Sequence, residues 1–282
     1  MENAEFTKLK NIILISSHAE RPELTEMEKE LAVHDVRVWY GLPYPVEDYL
    51  LEESLFLADS ESVCRGLLEK GCCVIAWLHE KNREESLEFV PYGLENPEEA
   101  EYEYYYRVYC RYHNIPWIIG ETSRCRIREM RLEDLEDLYE IYKEPSITAF
   151  MEDLYQDKEE ERRYIQAYIK NVYGFFGFGT WIIEKKSDKK VIGRAGFNYR
   201  EGYAEPELGF VIGVPYQRQG YAYECCSRIL EIGKEYYRFD TVQVLLKAGN
   251  EASLRLCEKL GFEGNEQVWE QGELYRRMLR KD

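Results

Sequence analysis

The chain has no C-x-x-C pair among its eight cysteines, and no histidine after His113. The first absence speaks against a zinc ribbon or a dithiol redox centre. The second removes a Ser-His-Asp triad and a histidine metal cluster from more than half of the 282 residues, so no metal is expected. Cys64, Cys72, Cys73, Cys110, Cys125, Cys225, Cys226 and Cys257 sit mostly inside apolar runs. There they read as buried thiols in a reducing compartment rather than as a disulfide framework. No apolar run approaches the roughly 20 residues of a membrane span, and the opening "MENAEFTKLK" lacks the apolar core of a signal peptide. A cytoplasmic location is expected. Positive charge is also scarce, with 37 basic against 54 acidic side chains and a net charge of −17. The deficit is uneven: residues 1–123 hold 11 basic and 25 acidic side chains, net −14, and the remainder 26 and 29, net −3. That field disfavours nucleic acid and anionic membranes. It suits a cationic partner, or serves only to keep the surface solvated.

What is present suits two modest domains, because 45% apolar content over this length can build real cores. In residues 1–122 the short runs "NIILISS", "VRVWY", "LFLAD", "CCVIAWL" and "PWIIG" alternate with amphipathic stretches such as "ELTEMEKELAVHD" and "SESVCRGLLEKG". Branched apolar runs separated by helical patterns predict a small three-layer α/β domain with a mainly parallel sheet. Tyr102, Tyr105, Tyr109 and Tyr112 fall at spacings of three and four, which puts them on one helix face. Asp59 and Ser60 are placed to cap the helix that follows, and Ser16, Ser17 and His18 stand at a strand end, where α/β sheets commonly bind ligands, although a plain surface histidine after a strand accounts for them better.

Residues 123–282 follow another pattern. A strand "CRIREM" and helix "LEDLEDLYEIYK" lead into an acidic, aromatic stretch, then antiparallel strands around "SDKK", a strand "ELGFVIGV", the helix "GYAYECCSRILEIGKEYYR" and a closing hairpin. The apolar stripe of that last helix is expected at Ala222, Cys225, Ile229, Ile232 and Tyr236. In the strand before it, Glu207, Gly209, Val211 and Gly213 share one face, nearly bare of bulk after the glutamate. Glycine in a strand marks a bulge or the close approach of another backbone. Pro215 ends the ladder, and the knot Gln217, Arg218, Gln219 precedes Gly220. A helix start leaves N–H groups unpaired at the positive end of its dipole. Amides from Gln219 through Tyr221 to Ala222 could therefore converge on a diphosphate, with Gln217 and Arg218 at the rim. An ordinary polar turn capping a helix fits the same residues. The knot lacks the lysine of "GxxxxGK[ST]" and the extra glycines of "GxGxxG".

"Q-R-Q-G-Y-A" fits the Q/R-x-x-G-x-G/A signature of the GCN5-related N-acetyltransferases (GNAT), and "NEASLRLCEKLGF", thirty residues beyond that glycine, resembles the family's later segment. The region from about residue 122 onwards is similar to that family throughout, most of all to the branch with ribosomal-protein N-terminal acetyltransferases. The resemblance implies a mixed, centrally splayed sheet flanked by helices, acetyl-CoA as co-substrate, and acetyl transfer to a primary amine by direct attack. It implies a carrier site at Val211, Ile212, Gly213, Val214, Gln217, Arg218, Gln219, Gly220, Tyr221, Ala222, Asn250, Ser253 and Cys257. The Ile212 N–H would stabilise the oxyanion, Glu207 (with Glu205 as competitor) would take the amine proton, and Ser253 would protonate the thiolate. Many relatives carry a tyrosine where this chain has Cys257. Asn250 and Ser253 equally suit a helix cap and first turn. The acceptor is expected to be a small amine or peptide N-terminus, cationic, met by carboxylates such as Glu152 and Asp153; a homodimer is compatible with all this. A non-catalytic acetyl-CoA-binding sensor is the alternative. "LFLADSESVCRGLLEKGCCVIAW" faintly resembles the late half of haloacid-dehalogenase-like domains, but that family's D-x-D nucleophile is missing before residue 123.

Overall fold

The computed structural model describes residues 8–16, 25–41 and 51–281. The chain divides into two compact units, Met1–Ile115 and Pro116–Asp282. In the first, β1 (Asn11–Ile15), β2 (Arg37–Tyr40), β3 (Ser54–Ala58), β4 (Cys73–Trp77) and β5 (Gly93–Leu94) form one sheet in the order β2-β1-β3-β4-β5. Every pairing is parallel. All five residues of β3 and of β4 are buried, as continuous apolar strands covered on both faces require. The helices used below are α1 (Thr25–Val33), α2 (Glu61–Glu69) and α3 (Tyr102–Tyr112).

The tyrosine face packs within this unit. Tyr105 and Tyr109 are fully buried, and their hydroxyls donate to the backbone oxygens of Pro97 and Glu52, both at 2.7 Å. Tyr102 stacks on His34, ring centroids 3.9 Å apart, and Tyr112 stays at the rim. Ser60 stands at the α2 N-cap without making a side-chain cap bond; the Glu61 N–H instead donates to Glu85 Oε2 at 2.6 Å. Asp59 is fully buried at the end of β3. It accepts from Ser16 Oγ (2.6 Å) and meets His79 Nε2 (3.2 Å), so it clasps strand ends rather than capping α2. Ser17 and His18 lie outside the described residues.

"PWIIG" does not join this sheet. Its strand β6 (Ile118–Glu121) pairs antiparallel with β7 (Cys125–Arg128) in the second unit. The run is short and half exposed, and a four-residue apolar stretch carries no label for its partner.

The second sheet has the order β12-β13-β11-β10-β9-β8-β7-β6. Its remaining strands are β8 (Thr180–Lys185), β9 (Val191–Tyr199), β10 (Pro206–Ile212), β11 (Thr241–Lys247), β12 (Glu263–Glu270) and β13 (Glu273–Lys281). The helices used below are α4 (Leu135–Tyr142), α5 (Lys158–Tyr168), α6 (Tyr221–Glu235) and α7 (Glu251–Lys259). The core gathers Trp181, Ile183, Ala195, Phe197, Cys225 and Ile229 among others, all fully buried. The α6 stripe holds at Cys225, Ile229 and Ile232, but Tyr236 is 70% exposed. The helix ends at Glu235, before the left-handed Arg238 (φ 56°), so the periodic pattern runs past its last turn.

Candidate active site

The site forms where β10 and β11 part. The two strands run parallel, yet their one paired position is Glu207 with Gln243. Side chains stitch that closed end. Gln243, fully buried, donates from Nε2 to the Glu205 backbone oxygen (3.0 Å) and accepts from Arg277 Nε (2.7 Å), while Arg277 Nη2 holds Glu205 Oε2 (2.7 Å). At the other end β10 stays bound to β9 without a register shift through Ile212. Gly213 N–H bonds back to the Ile192 oxygen at 2.8 Å. Backbone groups alternate sides along a strand, so the Ile212 N–H points away from β9, into the gap. The Ile212 oxygen on that side accepts from Gln217 Nε2 at 2.9 Å. The expected alternation also holds: Val211, Gly209 and Glu207 pair with Arg194, Gly196 and Asn198 of β9, and a Cβ at Gly209 would meet nothing within 4 Å. The floor of the cleft is open there.

After β10 a tight 3-10 turn, Val214–Tyr216, leads to α6. Arg218 (φ 58°) and Gly220 (φ 85°) are both left-handed, bending the backbone on either side of Gln219. Gly220 is the α6 N-cap, and the first intrahelical bond runs from the Glu224 N–H to its oxygen. The N–H groups of Tyr221, Ala222 and Tyr223 therefore precede the helix ladder. The side chain of Gln217, expected at the rim, turns inward to the Ile212 oxygen, and Gln219 Nε2 donates to the Pro215 oxygen at 2.8 Å, so both side-chain amides brace the loop itself. Arg218 is exposed at the rim.

Arg124, which no local pattern singles out, locks this turn. Its Nη1 donates to the Gln219 oxygen (3.0 Å), its Nε to Glu224 Oε2 (2.7 Å), and its guanidinium lies 4.1 Å from the Tyr221 ring centroid. Burial raises the Glu224 pKa, but hydrogen bonds from Thr122, from the Arg124 backbone and side chain and from Ser123 outweigh it, holding the carboxyl at about 2. A positive group thus stands beside the bare amides, within 3.4 Å of where a Gly220 Cβ would lie.

Across the gap, Asn250 is the α7 N-cap, its Oδ1 accepting from the Ser253 N–H at 3.2 Å. Ser253 is partly buried. Leu246, Lys247, Asn250, Leu254, Tyr275 and Arg276 line a shallow cavity at this end of β11. Cys257 does not reach the cleft, contrary to its expected place in the carrier site. It is fully buried, because on α7 it falls on the core-facing side with Leu260, and burial pushes its thiol up to about 12.

Both candidate bases are occupied. Arg200 holds Glu207 through Nε–Oε2 (2.6 Å) and Nη2–Oε1 (3.0 Å), and Glu205 is held by Arg277. Glu152 and Asp153 are exposed. Among the described residues there is no group of three or more His, Cys, Asp or Glu side chains able to hold a metal, and no helix long and apolar enough to cross a membrane.

Residues 124–263 match the family described as "Acetyltransferase (GNAT) domain". Over 144 residues the chain is 28% identical to the uncharacterized protein YkkB of Bacillus subtilis, covering 50% of this chain and 83% of that protein. It is 26% identical over 148 residues to the uncharacterized N-acetyltransferase YoaA of the same organism, covering 51% and 82%. Among solved structures, the acetyltransferase from Agrobacterium tumefaciens superposes with a TM-score of 0.50 at 20% identity, covering 58% of this chain and 94% of its own, a likeness of fold.

Proposed function

Residues 124–263 are an acetyltransferase domain of the GNAT family, whose co-substrate is acetyl-CoA, and on that premise we propose that this chain moves an acetyl group to a primary amine by direct attack. The observation that carries the reading is the pairing of β10 and β11 at one position only. A gap edged by unpaired main-chain groups suits the amide-bearing arm of the carrier, which can complete the broken ladder. The α6 N-terminus, with its two left-handed residues and Arg124, suits the diphosphate.

In the reaction the amine nitrogen forms a bond to the thioester carbon and the C–S bond breaks. The ammonium gives up one proton before attack, and the second proton that its nitrogen sheds on becoming an amide balances the one taken up by the sulfur. The Ile212 N–H is the donor for the developing oxyanion. Ser253 is the residue with a hydroxyl on the α7 first turn, facing the duty of protonating the thiolate. Glu207 is tied to Arg200 by both oxygens, so it takes the amine proton through water or after Arg200 swings out. That bond, with a buried cysteine at position 257, is what favours the second reading, a sensor that binds acetyl-CoA without turning it over.

Calorimetry with acetyl-CoA, run beside thiol release over a panel of amines, separates the two. Tight binding with turnover supports the enzyme, tight binding without turnover supports the sensor, and no binding removes both. A Gly220→Val variant is expected to lose at least tenfold in affinity, about 1.4 kcal/mol. A branched side chain at φ 85° is strained and crowds the site of the anion.

A further inference from the structure

On β9, opposite Val211, stands an arginine that lacks the counter-ion its neighbours have. Arg194 is partly buried, and its Nε donates to Tyr142 Oη at 2.8 Å with the guanidinium 4.8 Å from the Tyr142 ring centroid. Among the described residues its guanidinium has no other hydrogen-bond partner and no carboxylate within ion-pair distance. Arg128 and Arg277 of the same sheet, and Arg200 just after β9, each hold a carboxylate. Glu161 acts on Arg194 only from further off, and its Oε2 is engaged by the Tyr155 N–H at 2.9 Å. A guanidinium taken partly out of water without a paired charge is costly. Its planar fork still has donors free.

Position gives this fork a use. Arg194 shares its sheet face with Gly209, above which space is open, and with Val211, the residue before the Ile212 N–H. Diagonal neighbours across a strand pair lie about 7–8 Å apart, so an anion on Arg194 and an amine over the open floor are a few bonds apart in one molecule. Tyr142 and Tyr164 stand beside the guanidinium, and Tyr168 follows Tyr164 at 6.0 Å between ring centroids. The candidate bases Glu205 and Glu207 do not compete for Arg194, since each is held by another arginine.

We propose that Arg194 reads a carboxylate or phosphate on the acceptor, so that the acceptor class is an amine bearing an anionic group close to its nitrogen. The proposal rests on the acetyltransferase reading and deepens it. Arginine suits both oxyanions, since each presents two oxygens to the fork.

The test uses the full chain and matched amines: L-phenylalanine against L-phenylalaninamide for the carboxylate arm, and O-phosphoethanolamine against ethanolamine for the phosphate arm. Thiol release gives kcat/KM for each, and calorimetry on the CoA-bound protein gives affinity whether or not turnover occurs. In at least one arm the anionic member is expected to exceed its neutral partner by about tenfold or more, the discrimination of a good bidentate pair. In Arg194→Gln that preference is expected to fall to within about twofold, with Arg194→Lys between, and acetyl-CoA affinity unchanged. Neutral members equal to anionic ones in both arms of the unaltered protein would overturn the proposal, a result that needs no variant to fold. So would a preference that survives Arg194→Gln. Failure of acetyl-CoA itself to bind would strike the underlying reading instead.

Discussion

Ser253 joins two duties that one substitution separates. Its N–H is held by Asn250 Oδ1, so Ser253→Ala leaves the cap in place and removes only the hydroxyl. Turnover is expected to fall about tenfold or more while the acetyl-CoA dissociation constant stays within about twofold. The reverse pattern in steady-state kinetics and calorimetry would reject the acid role. Asn250→Ala removes the cap itself and should cost about 1 kcal/mol in denaturant unfolding. Cys257 marks the limit of reading a site from spacing. Its position in a familiar segment suggested contact with the carrier, but the helix phase turns it into the core. With its thiol pushed up to about 12, it is expected to resist maleimide at pH 8 until denaturant is added.

At the scale of elements, charge pairs join distant strands and helices. Glu224 of α6 clasps Arg124 ahead of β7, and its carboxyl, ordinarily at 4.5, is held near 2 by hydrogen bonds that outweigh its burial. A depressed folded-state value means that the clasp contributes fully above about pH 4.5 and is lost as pH falls towards 2. The melting temperature of the unaltered protein should therefore exceed that of Glu224→Gln at pH 7, and the gap should close between pH 4.5 and 2.5. A gap that does not change with pH would contradict this. Arg128, 2% exposed, is held bidentately by Asp134 (2.7 and 2.8 Å) and by Glu184 (2.8 Å). Removing one partner, as in Asp134→Ala, leaves a buried charge exposed to no solvent and should cost about 3–5 kcal/mol. These pairs could not be read in the sequence. Arg124 and Glu224 stand 100 residues apart, and nothing local says that they meet. The strands could be read, because branched apolar runs such as those of β3 and β4 have few other uses. The glycine-led turn before α6 could be read too, because a left-handed position next to a helix start calls for that residue. What stayed hidden was membership: β6 has the composition of a strand in either sheet.

For the whole molecule, each of the two units carries a buried core of its own, and the strong acidic excess belongs to the first. Residues 116–282 produced alone are expected to fold and to bind acetyl-CoA within a few-fold of the full chain, which calorimetry can check. The central claim is that the gap between β10 and β11 and the bare amides before α6 together receive the carrier. A crystal structure of the full chain with acetyl-CoA tests it most directly. The account predicts the diphosphate within hydrogen-bond distance of the Tyr221–Tyr223 amides and the thioester oxygen at the Ile212 N–H. Density for the carrier anywhere else, with that gap left to water, would contradict it.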